Sequence, residues 1–285
     1  MKNLFWVVGF ASTLLMCGCG FEERVPAQMI SMDQSQPVGK EKSLSAEIRF
    51  DIGSLEVTGD NRPNLYAMDL EYDKASYEPE SHYDTGEEGR FSFRLHSIHR
   101  AGLHSDHQSN RLRLNLTDSI PVKLNVNTGV GDTRLNLSGL KVERLEIEAG
   151  VGASKLSAYE PNSIDCETVR IKNGVGSMDA VGLGNLNFRD FDFEGGVGGA
   201  NLDFTGDWRH GADVRIQVGV GGVTMKVPRD VGVRVEAEKH FLSGLHLDGF
   251  SQRDSYYYST NYDNAKIRLS VRVVTGVGGF RITWV

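Results

Sequence analysis

The sequence predicts an all-β protein: a single-domain, β-solenoid-like stack of repeated strand–corner–strand units. Three observations predict it. The tripeptide Gly-Val-Gly recurs, apolar and polar residues alternate on both sides of each copy, and the intervening charges change sign from copy to copy.

The corners come first. The copies are Gly129-Val130-Gly131, Gly150-Val151-Gly152, Gly174-Val175-Gly176, Gly196-Val197-Gly198, Gly219-Val220-Gly221 and Gly276-Val277-Gly278. The first five are spaced by 21, 24, 22 and 23 residues, and Asp51-Ile52-Gly53 is a degenerate earlier copy. Five and three residues before the first Gly stand pairs such as Leu124 and Val126, Leu145 and Ile147, and Phe191 and Phe193. Such period-two alternation marks strands with one buried face. Six and eight residues after it stand Leu135 and Leu137, Leu202 and Phe204, and Met225 and Val227. The apolar phase is odd before the Gly and even after it, which a straight strand cannot do. A bend or bulge is therefore expected at each Gly-Val-Gly, with glycine supplying the backbone freedom and Val pointing inward. An Asp at Val151 or Val197 would then cost several kcal/mol.

The charges between the apolar positions give the stacking. Four residues before the Gly, successive copies carry Glu146, Arg170, Asp192 and Arg215; two before it they carry Glu148, Lys172 and Glu194. Parallel copies in register, about 4.8 Å apart, would set each charge beside its opposite. A stack of antiparallel sheets is the alternative.

The N-terminus is different in kind. Lys2 precedes an apolar stretch over residues 4–15, too short to span a bilayer, and then Met16-Cys17-Gly18-Cys19. Gly18 before Cys19 resembles a lipobox, so residues 1–18 are read as a lipoprotein signal peptide and Cys19 as the lipidated residue. An ordinary secretory signal is the alternative. Residues 19–44 are polar and irregular and are read as a flexible tether, and residues 45–285 as the repeat domain. The protein is expected to be exported and held by its lipid on a bacterial membrane, the outer one where the organism has two. Removing Lys2 leaves 30 basic against 38 acidic residues, a charge of −8. An acidic exported chain lacks the basic stripe that nucleic acid requires. Cys166 then stands alone, without a disulfide partner, and reads as a strand residue.

The order of motifs carries a resemblance. It runs from Ala46-Glu47-Ile48 and Gly53-Ser54-Leu55-Glu56-Val57 through Asp118-Ser119-Ile120-Pro121-Val122 into Gly129-Val130-Gly131-Asp132. It continues through Leu202-Asp203-Phe204-Thr205-Gly206 and the Val227-to-Val235 segment to Gly276-Val277-Gly278-Gly279-Phe280. This resembles the toast-rack family, a domain of unknown function, and its C-terminal part is similar to the β-domain of cell-wall antibiotic-response regulators. The resemblance covers about residues 45–285 and implies a stacked β fold and an envelope location. It implies no catalytic residues. The chain departs from the family pattern at 238–244, where Lys239-His240-Phe241 stands in place of a glycine-rich corner.

Few residues carry recognisable chemistry. Gly195 to Gly199 is not a phosphate loop, because an alternating strand follows where a helix is needed. Only Asp132 lies where a calcium-binding repeat needs an Asp in every copy. His96, His99, His104, Asp106 and His107 could bind zinc or copper; the favoured reading is a solvated loop between strands at 91–95 and 111–116. Tyr256, Tyr257, Tyr258 and Tyr262 could stack on sugar rings, or serve as half-buried strand and loop aromatics. No metal, cofactor or catalytic residue is assigned. The chain reads as a non-enzymatic envelope lipoprotein that binds or scaffolds, its partners the membrane and an unknown envelope protein or glycan. Loops at 95–110 and 250–264, which interrupt the repeat with His, Tyr and polar side chains, are the expected contact regions. The alternatives are a modulator of envelope-stress signalling and a polysaccharide-active enzyme on a β-solenoid, though glycoside hydrolysis needs two facing carboxylates.

Overall fold

The computed structural model describes residues 26–98, 110–237 and 244–285. The strands run in chain order from β1 (Met29–Pro37), β2 (Ser43–Ile52), β3 (Ser54–Asp60), β4 (Asn64–Asp73), β5 (Tyr77–Asp84) and β6 (Glu88–Ser97) to β7 (Arg111–Thr117). The central units are β8 (Pro121–Val130) with β9 (Thr133–Asn136), β10 (Lys141–Val151) with β11 (Ser154–Ser157), and β12 (Cys166–Val175) with β13 (Met178–Val181). After a 3-10 turn at Leu183–Leu186 come β14 (Phe188–Val197) with β15 (Ala200–Asp203), and the long β16 (Ala212–Val227). The chain ends with β17 (Val231–Ala237), β18 (Gly244–Leu247), β19 (Phe250–Arg253), β20 (Tyr256–Ser259) and β21 (Ile267–Trp284).

Each repeat unit is one rung, and successive rungs pair in parallel. Leu145 lies beside Val169, Val169 beside Phe191, and Phe191 beside Val214. The second arms pair likewise, Leu135 beside Leu156 and Leu156 beside Ala180. Hydrogen bonds link all 21 described strands into one sheet, bent at the corners. The inward residues of both arms form a single core, and it contains the alternating positions expected from the sequence, Leu124 and Val126 through Val271 and Val273.

Rung order is not chain order. The rung made by β6 and β7 lies outside that of β2 and β3, and β21 inserts between β16 and the β17–β18 rung. Antiparallel strands cap both arms at one end, β5 on β6 and β4 on β7 with β1 beyond it; at the other end β20 caps β17 with β19 beyond it, while β18 pairs in parallel with β21. The outermost β5 carries Glu78, Pro79, Glu80 and Asp84, and β1 ends in Pro37. Charge and proline at an outer strand discourage pairing with further chains.

Two expectations are corrected here. Residues 29–37, read as part of a flexible tether, form β1, and β2 begins at Ser43. The strand was hidden because two of its inward positions, Gln34 and Gln36, are polar and leave Met32 without an apolar period: Gln34 Nε2 donates to the Tyr66 hydroxyl at 2.9 Å. The corner valines do not point inward. Val130, Val151, Val175, Val197 and Val220 are all about half exposed. The inward side of the corner is filled by the residues one before the first Gly and four after it. At the first full corner these are Thr128 and Thr133, whose hydroxyls meet at 3.0 Å. The inside of so sharp a bend has no room for a third side chain, so Val sits on its convex side.

Candidate binding surfaces

The corners stack into a ridge. Ile52, Val130, Val151, Val175, Val197, Val220 and Val277 are neighbours in register, one per rung, and between 39% and 66% exposed. Glycines flank each valine on both sides, so no neighbouring side chain in the strand overhangs it; Ile52, at the end of the row, follows Asp51. The glycines' lack of a side chain has a steric cause. The third residue of each corner holds φ between +137° and +147° at Gly131, Gly152, Gly176, Gly198, Gly221 and Gly278. A Cβ there would collide with the carbonyl oxygen of the matching glycine on the adjacent rung. The glycines are thus required by backbone packing, whereas nothing in the core contacts requires a valine at the apex.

The outward face of the first arms is a ladder of ion pairs. Glu146 lies 3.4 Å from Arg170, Arg170 lies 4.0 Å from Asp192, and Asp192 lies 3.4 Å from Arg215. Lys172 lies 3.4 Å from Glu148. The alternation of sign therefore reports parallel in-register stacking, as expected. Asn125 and Asn127 interrupt the long side chains and donate to Glu146 and Glu148 at 3.2 and 3.0 Å. Their shortness leaves a recess of about 430 Å³ walled by Arg49, Arg94, Glu146 and Lys172. Its acids Glu146 and Glu148 are engaged by bases and amides, an arrangement suited to a fixed polar surface.

His96 lies on β6 with Nε2 3.9 Å from Glu78 and Nδ1 3.9 Å from Glu80. His99, His104, Asp106 and His107 lie outside the described residues, as does Cys19. Among the described residues no group of three or more metal-ligating side chains converges. The segment 250–264 is not an open loop: β19 and β20 form a hairpin within it. Arginines cover one face of three of its tyrosines, Arg234 over Tyr256 at 5.0 Å, Arg253 over Tyr258 at 5.0 Å and Arg268 over Tyr262 at 5.5 Å, and Tyr257 packs against the core. Cys166 is a buried strand residue, and burial pushes its thiol up to about 12. The sequence reading missed Asn162, Asn185 and Asn187, buried amides that hold the return turns between rungs.

The sequence matches the family described as the N-terminal domain of toast_rack over residues 22–181 and again over 169–226. The chain belongs to the toast-rack family. Its matched residues include the first five Gly-Val-Gly corners, while the β21 rung lies beyond them. Among solved structures, this toast-rack chain is similar to a candidate cell adhesion protein of Clostridium sporogenes ATCC 15579, at 18% identity and TM-score 0.46, covering 90% of this chain and all of that one. A candidate adhesin of Bacteroides fragilis NCTC 9343 is similar at 11% identity and TM-score 0.32, covering 90% of this chain and 97% of the other. One from Parabacteroides distasonis ATCC 8503 has 11% identity and TM-score 0.30, with the same coverage. No curated protein matches the sequence. No described helix of the toast-rack chain is long and apolar enough to cross a membrane.

Proposed function

We propose that this toast-rack protein is a lipid-anchored, non-enzymatic module that binds or scaffolds a partner at the bacterial envelope, its rungs forming a β-solenoid-like rack. The observation supporting this reading is the ridge of one Ile and six Val side chains, held at convex, half-exposed positions in consecutive rungs. Contiguous exposed apolar rows are often contact surfaces. Removal of a signal peptide ending at Gly18 and attachment of a lipid to Cys19 would hold that surface where its partner, an envelope protein or glycan, is concentrated.

The test uses crosslinking in the native envelope. Val151→Lys combined with Val197→Lys is expected to reduce partner recovery about tenfold, a loss of roughly 1.4 kcal/mol in binding, and to leave the β-rich circular dichroism unchanged. Undiminished recovery, or cleavage of peptidoglycan by the purified protein, would overturn the reading. The anchor is tested separately. Cys19→Ala is expected to abolish incorporation of a fatty-acid analogue, and equal label in the variant would remove the lipid from the proposal while leaving the ridge.

A further inference from the structure

We infer that the hairpin end of the stack binds an acidic polysaccharide, its uronic acid carboxylates held by Arg234 and Arg268 and its sugar rings by Tyr256, Tyr258 and Tyr262. This is a second surface, and the inference does not depend on the valine ridge.

The sheet places these side chains on one face. Val233, Val235 and Leu269 are buried and Tyr257 packs against the core, so their neighbours Arg234, Tyr256, Tyr258 and Arg268 face outward. β19 adds Arg253 opposite Tyr256, and the turn after β20 adds Tyr262. The three rings form a chain and are partly exposed, with centroids 6.3 Å apart from Tyr256 to Tyr258 and 5.0 Å from Tyr258 to Tyr262. The arginine-over-tyrosine contacts among the described residues all fall here, between Arg234 and Arg268. Such pairs occur about once per 70–80 residues, so their gathering on one face is a local feature.

Charge names the ligand. Elsewhere outward arginines lie beside acids, as Arg113 beside Asp69 and Arg144 beside Glu167. On this face Asp263 is taken by Arg253 and Glu236 by Arg272, each at 2.9 Å. Among the described residues, Arg234 and Arg268 have no carboxylate within 4.0 Å. The next acid across the sheet, Asp213, lies two strands from Arg234, beyond Ser270. Two unanswered guanidiniums thus stand together in a chain of net charge −7.

Their donors are held in place. Each guanidinium has five N–H groups. Ser270 Oγ accepts one from Arg234 at 2.8 Å, and the carbonyls of Tyr262 and Asp263 accept two from Arg268 at 3.0 and 2.9 Å. Stacking on a ring fixes each guanidinium plane without consuming a donor. The remaining edges suit a carboxylate, which takes two parallel N–H bonds. A uronic acid polymer supplies carboxylates at intervals, and its rings offer C–H faces and hydroxyls to tyrosines, which join an apolar body to a polar tip. A neutral glycan leaves both charges unanswered, and a bare polyanion leaves the rings unused.

Titration of the full-length protein with polygalacturonate, its methyl ester and polyphosphate tests this. Polygalacturonate is expected to bind about tenfold more tightly than either of the others. Arg234→Gln combined with Arg268→Gln is expected to lose about tenfold toward polygalacturonate. Arg113→Gln combined with Arg134→Gln removes the same charge from arginines already paired to acids and is expected to lose under about twofold. Circular dichroism checks each fold. Should the first pair fail to fold, Arg268→Lys alone, which keeps the charge and loses the fork, is expected to lose about threefold. No binding by wild type, equal binding of polyphosphate or the methyl ester, equal losses in the two double variants, or no loss in the Arg268 variants would overturn the inference. None of these results touches the ridge, which the valine-to-lysine variants test separately.

Discussion

Gly198→Ala is expected to lower the thermal midpoint by about 10 °C, or to prevent folding, while Val197→Ala next to it changes little. Gly198 holds φ at +142°, which an L side chain rarely adopts. That strain costs about 1–3 kcal/mol. A Cβ would also meet the carbonyl oxygen of Gly176 in the adjacent rung. The neighbour is backbone, already fixed by the Gly198 N–H donating to the Val220 carbonyl at 2.9 Å and the Gly176 N–H donating to the Val197 carbonyl at 2.9 Å. Relief requires the rungs to part, so the cost adds to the strain. For a domain of this size each kcal/mol moves the midpoint by roughly 2–4 °C. Val197 is half exposed, and its truncation, or its replacement by Asp, is expected to cost under about 1 kcal/mol. Thermal denaturation followed by circular dichroism distinguishes the two. A midpoint for Gly198→Ala within about 2 °C of wild type would show that the corner relaxes and that the glycines are not held by sterics.

The contrast between these neighbours shows what the sequence can convey. The repeat, the alternation on both arms and the charge ladder were legible because each obeys a short period that survives without knowledge of distant contacts. Glu146, Arg170 and Asp192 specify their own neighbours in this way. The direction of the corner valines was not legible. The phase change says that a bend exists, but whether its apex faces inward depends on the space between Thr128 and Thr133. Strand β1 was invisible for a related reason: it is held by backbone pairing to β4, and its inward glutamines present no apolar period. The exchange of rung order at both ends left no trace either, since a rung carries the same pattern wherever it stacks. Of the proposed contact regions, the hairpin of β19 and β20 read as a loop because each strand is only four residues long and the polar run Ser251-Gln252-Arg253-Asp254 stands between its aromatics.

Asn187→Leu is expected to cost about 3–5 kcal/mol, although the two side chains are similar in size. Asn187 ends the 3-10 turn with φ at +50° and is fully buried. Its amide Nδ2 donates to the Asp207 carbonyl at 3.0 Å, and its Oδ1 accepts from the Arg209 N–H at 2.7 Å. The same pattern recurs one rung away. Asn162 accepts from the Val142 N–H at 3.1 Å and donates to the Leu186 carbonyl at 3.2 Å. Asn185 donates to the Ala158 carbonyl at 2.8 Å and accepts from the Asp207 N–H at 2.9 Å. These amides give the irregular return turns the partners that strand pairing gives the arms. Leucine would leave an N–H and a carbonyl unpaired at about 1–3 kcal/mol each, and would force a branched side chain into a left-handed conformation. Asn187→Gly relieves the backbone strain while losing the hydrogen bonds and the side chain's volume, so it should be less damaging than Leu by up to roughly 1 kcal/mol. Urea unfolding gives the totals. Trp208 reports the site itself, because its ring packs edge-on against Phe188 at 5.1 Å and its indole N–H donates to the Phe204 carbonyl at 2.8 Å. A red shift of its fluorescence in Asn187→Leu before global unfolding would show the turn loosening locally. Wild-type stability in the leucine variant would mean that other partners hold Asp207 and Arg209 in place.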